Sequence, residues 1–106
     1  MNIKTTEIFK KSFKKLFKKD KQLLSQYEEL LKQLELNPHT GTLITEGRYK
    51  IRLQNKSNNK GKSAGYRIIT YTKIEDTILL VHIYSKSYTS NIIDKRIDDI
   101  IKNYKI

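Results

Sequence analysis

The chain has 106 residues, enough for one domain spanning 1–106 with no room for a second. Its 22 Lys and Arg residues against 11 Asp and Glu leave a net charge of +11, a surface suited to polyanions such as nucleic acid, an anionic membrane or an acidic protein. There is no cysteine, which excludes a disulfide scaffold, a thiolate metal site and a cysteine nucleophile, and 37% hydrophobic residues make only a thin core.

The first third predicts two helices. Phe9, Phe13, Leu16 and Phe17 recur at helical spacing, with Lys10, Lys11, Lys14, Lys15, Lys18 and Lys19 on the remaining surface. Asp20 breaks the basic run and is placed to cap the next helix, where Leu23, Leu24, Tyr27, Leu30, Leu31 and Leu34 form a second stripe. Asn37-Pro38 ends it, because proline disfavours helical geometry in the preceding residue. Two facing stripes with a short link predict an antiparallel helical hairpin.

Beyond Gly41 the period changes to two, with Tyr49, Ile51 and Leu53 alternating with Lys50, Arg52 and Gln54. A polar loop from Asn55 to Gly65 leads to a second strand, about Tyr66 to Lys73. A turn near Glu75-Asp76 precedes a third, Thr77 to Tyr84, and the close spacing favours an antiparallel meander. Ile93, Ile97, Ile100, Ile101 and Tyr104 then mark a C-terminal helix with Asn91 as its N-cap. The fold class is therefore α+β: an N-terminal helical hairpin packed on a small antiparallel sheet, followed by a helix.

Strand alternation sorts the side chains onto two faces. Tyr49, Ile51, Leu53, Tyr66, Ile68, Leu79, Val81 and Ile83 form the apolar face expected against the hairpin. The opposite parity collects Lys50, Arg52, Arg67, Tyr71, Lys73, His82 and Tyr84, with Lys86 just beyond, and also Ile69, which the C-terminal helix is placed to cover. A charged outer face is ordinary for an antiparallel sheet. Two arginines and two tyrosines among the lysines fit nucleic acid better, since arginine offers a planar fork for phosphate and tyrosine stacks on bases or moves a proton.

Other features are less specific. Gly61-Lys62-Ser63-Ala64-Gly65 lacks the glycine spacing and following helix of a nucleotide-binding loop; it reads as a hairpin connection whose backbone N–H groups and Lys62 can meet a phosphate. The lysines of the first helix read as a solvated face, with ribosomal RNA and then a membrane surface as alternatives. His39, in the loop after Pro38, reads as structural or incidental, and His82, a lone strand histidine, reads as structural, with catalysis the alternative. No apolar run is long enough to cross a bilayer and no apolar signal core follows the first lysines, so a cytoplasmic protein with no membrane partner is expected.

Three stretches in this order and spacing resemble the HigB-like branch of the RelE/ParE toxin superfamily: Tyr49-Lys50-Ile51-Arg52-Leu53, then Gly61 to Tyr71, then Leu79-Leu80-Val81-His82-Ile83-Tyr84-Ser85-Lys86-Ser87. Leu34 to Gly41, which includes Asn37-Pro38, and the Asn91 after Lys86 also match, so the resemblance covers nearly the whole chain. Ala64 stands where the family usually has glycine.

The resemblance implies a small sheet with helices packed on one face, ribosome-dependent cleavage of mRNA in the decoding site, and a neighbouring antitoxin that silences it. Such chemistry needs no metal or cofactor, because RNA carries its own nucleophile in the 2′-OH. The expected catalytic set is Lys50, Arg52, Arg67, Tyr84 and Lys86. Arg52 and Arg67 serve for phosphate and transition-state charge, Lys50 and Lys86 for charge or proton transfer, and Tyr84 for stacking or proton donation. Lys56, Lys60, Lys62, Tyr71 and Lys73 are the expected RNA contacts. Two alternatives use the same fold: a ParE-like inhibitor of DNA gyrase, and a non-catalytic RNA-binding module.

Overall fold

The computed structural model describes residues 2–54, 65–86 and 94–104. In chain order the elements are β1 (Asn2–Thr5), α1 (Glu7–Lys19), α2 (Leu23–Leu36), β2 (Thr42–Thr45), β3 (Arg48–Leu53), β4 (Tyr66–Ile74), β5 (Thr77–Ser85) and α3 (Asp94–Asn103). The five strands form one mixed sheet in the order β1-β5-β4-β3-β2. The α+β class and the C-terminal helix agree with the sequence; the wholly antiparallel sheet does not, because β1 pairs parallel to β5. The segment Asn-Ile-Lys-Thr is too short and polar to announce itself, and it becomes a strand because β5 offers it a free edge.

Helices α1 and α2 pack on one face of the sheet. Phe9, Leu23, Leu30 and Leu34 meet Ile51, Leu53, Tyr66, Ile68, Ile78, Leu80 and Ile83 in the main core. Phe9, Phe13 and Phe17 stack successively along α1, and Tyr27 of α2 tilts against Phe9 and Phe13 at ring separations of 5.9 and 4.8 Å. The predicted stripe on α2 is narrower than expected, since Leu24 remains 41% exposed. Asn37 ends α2 as predicted.

Asp20 does something other than cap α2. Helix α2 starts after Gln22, which provides no side-chain cap, while Asp20 closes α1 and is only 2% exposed. Its carboxylate accepts from the Gln22 N–H at 3.0 Å and from the Tyr66 hydroxyl at 2.9 Å, tying the interhelical turn to the start of β4. The start of α1 is tied to the sheet in a similar way. The Thr6 hydroxyl accepts from the Phe9 N–H at 2.9 Å as the helix cap and donates to the Val81 carbonyl at 2.7 Å.

That carbonyl belongs to a bulge, and the bulge overturns part of the expected face assignment. Ile69 of β4 pairs with His82, whereas the next residue, Thr70, pairs with Leu80, leaving Val81 as the extra residue in β5. Ile78, Leu80 and Ile83 therefore face the hairpin, and Leu79 and Val81 face the other way, contrary to the simple alternation of Leu79, Val81 and Ile83. On the second face, α3 covers Ile69, Leu79 and Val81 with Ile97 and Ile100. Strand β5 is thus buried on both sides along its whole length, which is why its apolar run carries no usable alternation. The proposed cap Asn91 lies outside the described residues.

Candidate active site

The register of the sheet assembles the predicted residues into transverse rows on the face that also carries α3. Arg52 of β3 stands opposite Arg67 of β4, which stands opposite Tyr84 of β5. The next row is Lys50, Ile69 and His82. Helix α3 packs over Ile69 and beyond, and Arg48 forms a salt bridge with its Asp98, so α3 covers one end of this face and the arginine row lies towards the other. At that end the Lys86 N–H donates to the Gly65 carbonyl at 2.8 Å, closing the β4–β5 pair just beyond Tyr84.

The members of the row differ in environment. Arg52 is exposed and Lys50 half-buried, whereas Arg67 is only 3% exposed and Tyr84 7%. The expectation that Arg67 lies open on a solvated face is therefore corrected. Its guanidinium donates to the Tyr66 carbonyl at 3.1 Å. Burial, and secondarily repulsion from Arg52, lower its pKa, with Tyr84 acting in the opposite direction. The group stays charged near neutrality because arginine starts so far above it. A desolvated, always-charged fork beside an exposed arginine is an arrangement that gains when a phosphate arrives: the anion offsets the repulsion and accepts from both.

His82 lies in the neighbouring row, 8% exposed, with its ring stacked against Tyr84 at 6.0 Å. Its Nδ1 is buried and finds no hydrogen-bond partner among the described residues. Burial first, and the positive charge of Arg96 on α3 second, depress its pKa to about 4, so the imidazole is uncharged at neutral pH. Arg96 is a neighbour that sequence reasoning passed over. A basic residue next to the periodic Ile97 carries no sign of where its helix docks.

Two predicted RNA contacts stand apart. Tyr71 is half-buried with Ile69 and Ile97 in the cluster beneath α3. Lys73 forms a salt bridge with Glu46 at 3.2 Å and packs its stem over Gly47. At about 3.3 Å per residue it lies roughly 20 Å along β4 from Arg67. Lys56, Lys60 and Lys62 lie outside the described residues. Among the described residues no group of His, Asp and Glu side chains could hold a metal ion, and no helix is long and apolar enough to cross a membrane.

The family model for the RelE toxin of the RelE/RelB toxin–antitoxin system matches residues 1–105. The chain belongs to the RelE toxin family. No curated protein matches it closely enough to add a relative. As a RelE-family toxin it is one half of a toxin–antitoxin system, and an antitoxin is its partner. The arginine row lies within the matched span, on the three strands that make the middle of the sheet.

Proposed function

We propose that this RelE-family toxin is an endoribonuclease of the HigB-like type, acting in the cytoplasm on mRNA held by the translating ribosome. The observation that carries this reading is the row Arg52–Arg67–Tyr84, in which two guanidinium groups and one phenol from three adjacent strands share a face. In the reaction the 2′-oxygen bonds to phosphorus as the bond to the 5′-oxygen breaks. The 2′-hydroxyl loses a proton, the departing 5′-oxygen gains one, and the products end in a 2′,3′-cyclic phosphate and a 5′-hydroxyl. Negative charge builds on the non-bridging oxygens, and Arg52 and Arg67 are the donors for it. Tyr84 stacks on a base or protonates the leaving oxygen, and Lys50, two residues before Arg52, and Lys86, two residues after Tyr84, add positive charge beside the row. No metal enters this scheme because the nucleophile belongs to the substrate.

The set lacks an evident strong base, which suits an enzyme that acts where the ribosome already holds the mRNA in a strained, ordered geometry. The loop lysines Lys56, Lys60 and Lys62 are proposed RNA contacts on the strength of composition alone. Expression in growing cells followed by primer-extension mapping tests the reading. Cuts confined to translated codons, with 5′-hydroxyl ends, are expected. Intact mRNA together with inhibited gyrase supercoiling would overturn it.

A further inference from the structure

We propose that the groove between α2 and the open edge of β3 is a nucleobase subsite, which reads a guanine next to the phosphodiester held by Arg52. The proposal rests on the RNA-directed reading above and adds to it a source of sequence preference. The groove exists because β2 stops short. It pairs with β3 only from Arg48 to Lys50, so among the described residues Ile51, Arg52 and Leu53 have no strand on their outer side. Helix α2 runs past this open edge, and the Gln26 side-chain amide donates to the Gln54 carbonyl, tying the two walls together at one end. The space between them is about 510 Å³, within the range of about 300–1,000 Å³ usual for small-ligand sites.

The lining suits a base and not a phosphate chain. Leu30, Ile51 and Leu53 are buried and give an apolar floor for the flat face of a ring. Gln26, Glu29, Gln33, Arg52 and Gln54 put hydrogen-bonding groups around it. On a chain of net charge +11, Arg52 is the single cation in this lining, and Glu29 offsets it. No salt bridge among the described residues joins the two, so both keep their capacity for a ligand. Arg52 also stands opposite Arg67, so an RNA strand held at the arginine row has a neighbouring base within reach of the groove. Glu29 selects among bases because a carboxylate only accepts. Guanine sets two donors side by side, N1–H and the N2 amino group, to match the two carboxylate oxygens. Adenine and cytosine set a ring acceptor beside their amino group, and uracil has one N–H between two carbonyls. The amides of Gln33 and Gln54 are the available donors for the guanine acceptors O6 and N7. An extended peptide is a poorer fit, because only three residues of edge are open and the next carbonyl, that of Gln54, is already taken.

The test uses labelled single-stranded oligonucleotides of 2′-deoxy residues, so that they cannot be cut. Each carries one guanine, or one hypoxanthine that lacks only the N2 amino group, in an otherwise all-thymine sequence. Anisotropy measures their binding to the wild type, Glu29→Gln, Glu29→Asp and Glu28→Gln, the last an exposed carboxylate on the same helix outside the groove. Cut sites on translating ribosomes are mapped in parallel, with rescue of growth by the neighbouring gene's antitoxin and thermal melting as further readouts. The wild type and Glu28→Gln are expected to bind the guanine oligonucleotide roughly ten-fold more tightly than the hypoxanthine one. Glu29→Gln should lose most of that difference and Glu29→Asp keep part of it, and guanine enrichment beside the mapped cuts should fall with Glu29→Gln but not with Glu28→Gln. Equal binding of the two oligonucleotides by the wild type, no binding of either, or a preference that survives Glu29→Gln overturns the subsite. So does a Glu29→Gln defect confined to antitoxin rescue, which would make the groove a protein interface. A guanine preference lost with Glu29→Gln, but no cleavage by the wild type, would retain the subsite and reject the endoribonuclease reading.

Discussion

Replacing Arg67 by methionine separates the chemistry proposed for this toxin from its stability. Arg67 is 3% exposed, so Arg67→Ala would remove a packed three-methylene stem as well as the charge, at about 2 kcal/mol for the stem alone. Methionine keeps most of that volume. The losses include the hydrogen bond to the Tyr66 carbonyl, worth about 1 kcal/mol. Against this stands the removal of a desolvated cation facing Arg52, which is a gain. The net change in stability should stay below about 1 kcal/mol, a shift of a few degrees in Tm for a domain of this size. The catalytic effect should be far larger, because a preorganised donor to a developing oxyanion is typically worth about 10²–10³ in kcat. Arg67→Lys keeps the charge but not the planar fork, and should fall between the two. The measurements are mRNA cleavage on translating ribosomes, growth arrest on induction, and thermal melting of the purified variants. If Arg67→Met melted like the wild type and still cleaved within about three-fold of it, the arginine row could not be where transition-state charge is held.

Tyr66→Phe should destabilise the fold by about 1.5–3 kcal/mol, because it deprives the buried Asp20 carboxylate of a hydroxyl donor at 2.9 Å. Chemical denaturation measures this, and a loss under about 0.5 kcal/mol would mean that other donors already satisfy Asp20. His82 predicts an acid sensitivity. Its pKa falls from 6.5 to about 4 on folding, so between those values the unfolded chain binds a proton that the folded chain refuses. Stability is therefore unaffected by this residue above pH 6.5 and declines as the pH drops from there towards 4, by up to about 3 kcal/mol. Melting curves of wild type and His82→Gln across that range should diverge with falling pH, the variant losing less; parallel curves would show that the imidazole is not desolvated in the folded state.

Much of the architecture was legible because local signals agreed with the final packing. The helical stripes of α1 and α2, the stop at Asn37-Pro38, the three central strands and the last helix all came from periodicity and turn residues. The grouping of Lys50, Arg52, Arg67 and Tyr84 was legible for a simple reason: side chains alternate strictly along β3 and along β4 from Tyr66 to Ile69, and the bulge in β5 precedes Tyr84, so parity counted back from the strand's end still holds.

What sequence could not supply depends on contacts between distant segments. β1 exists because β5 has an edge to spare, and the bulge at Val81, held by a hydroxyl from Thr6, reverses the faces of Leu79 and Val81. The burial of Arg67 and of the His82 imidazole follow from tertiary packing, including where α3 docks on the sheet. The amino-acid order by itself determined which residues are basic, aromatic or apolar and how they alternate, since those follow from covalent geometry over a few residues. Only the tertiary structure decided which cations are desolvated and which titratable groups are neutral, because desolvation is set by whatever segment packs on top, and that segment is remote in the chain.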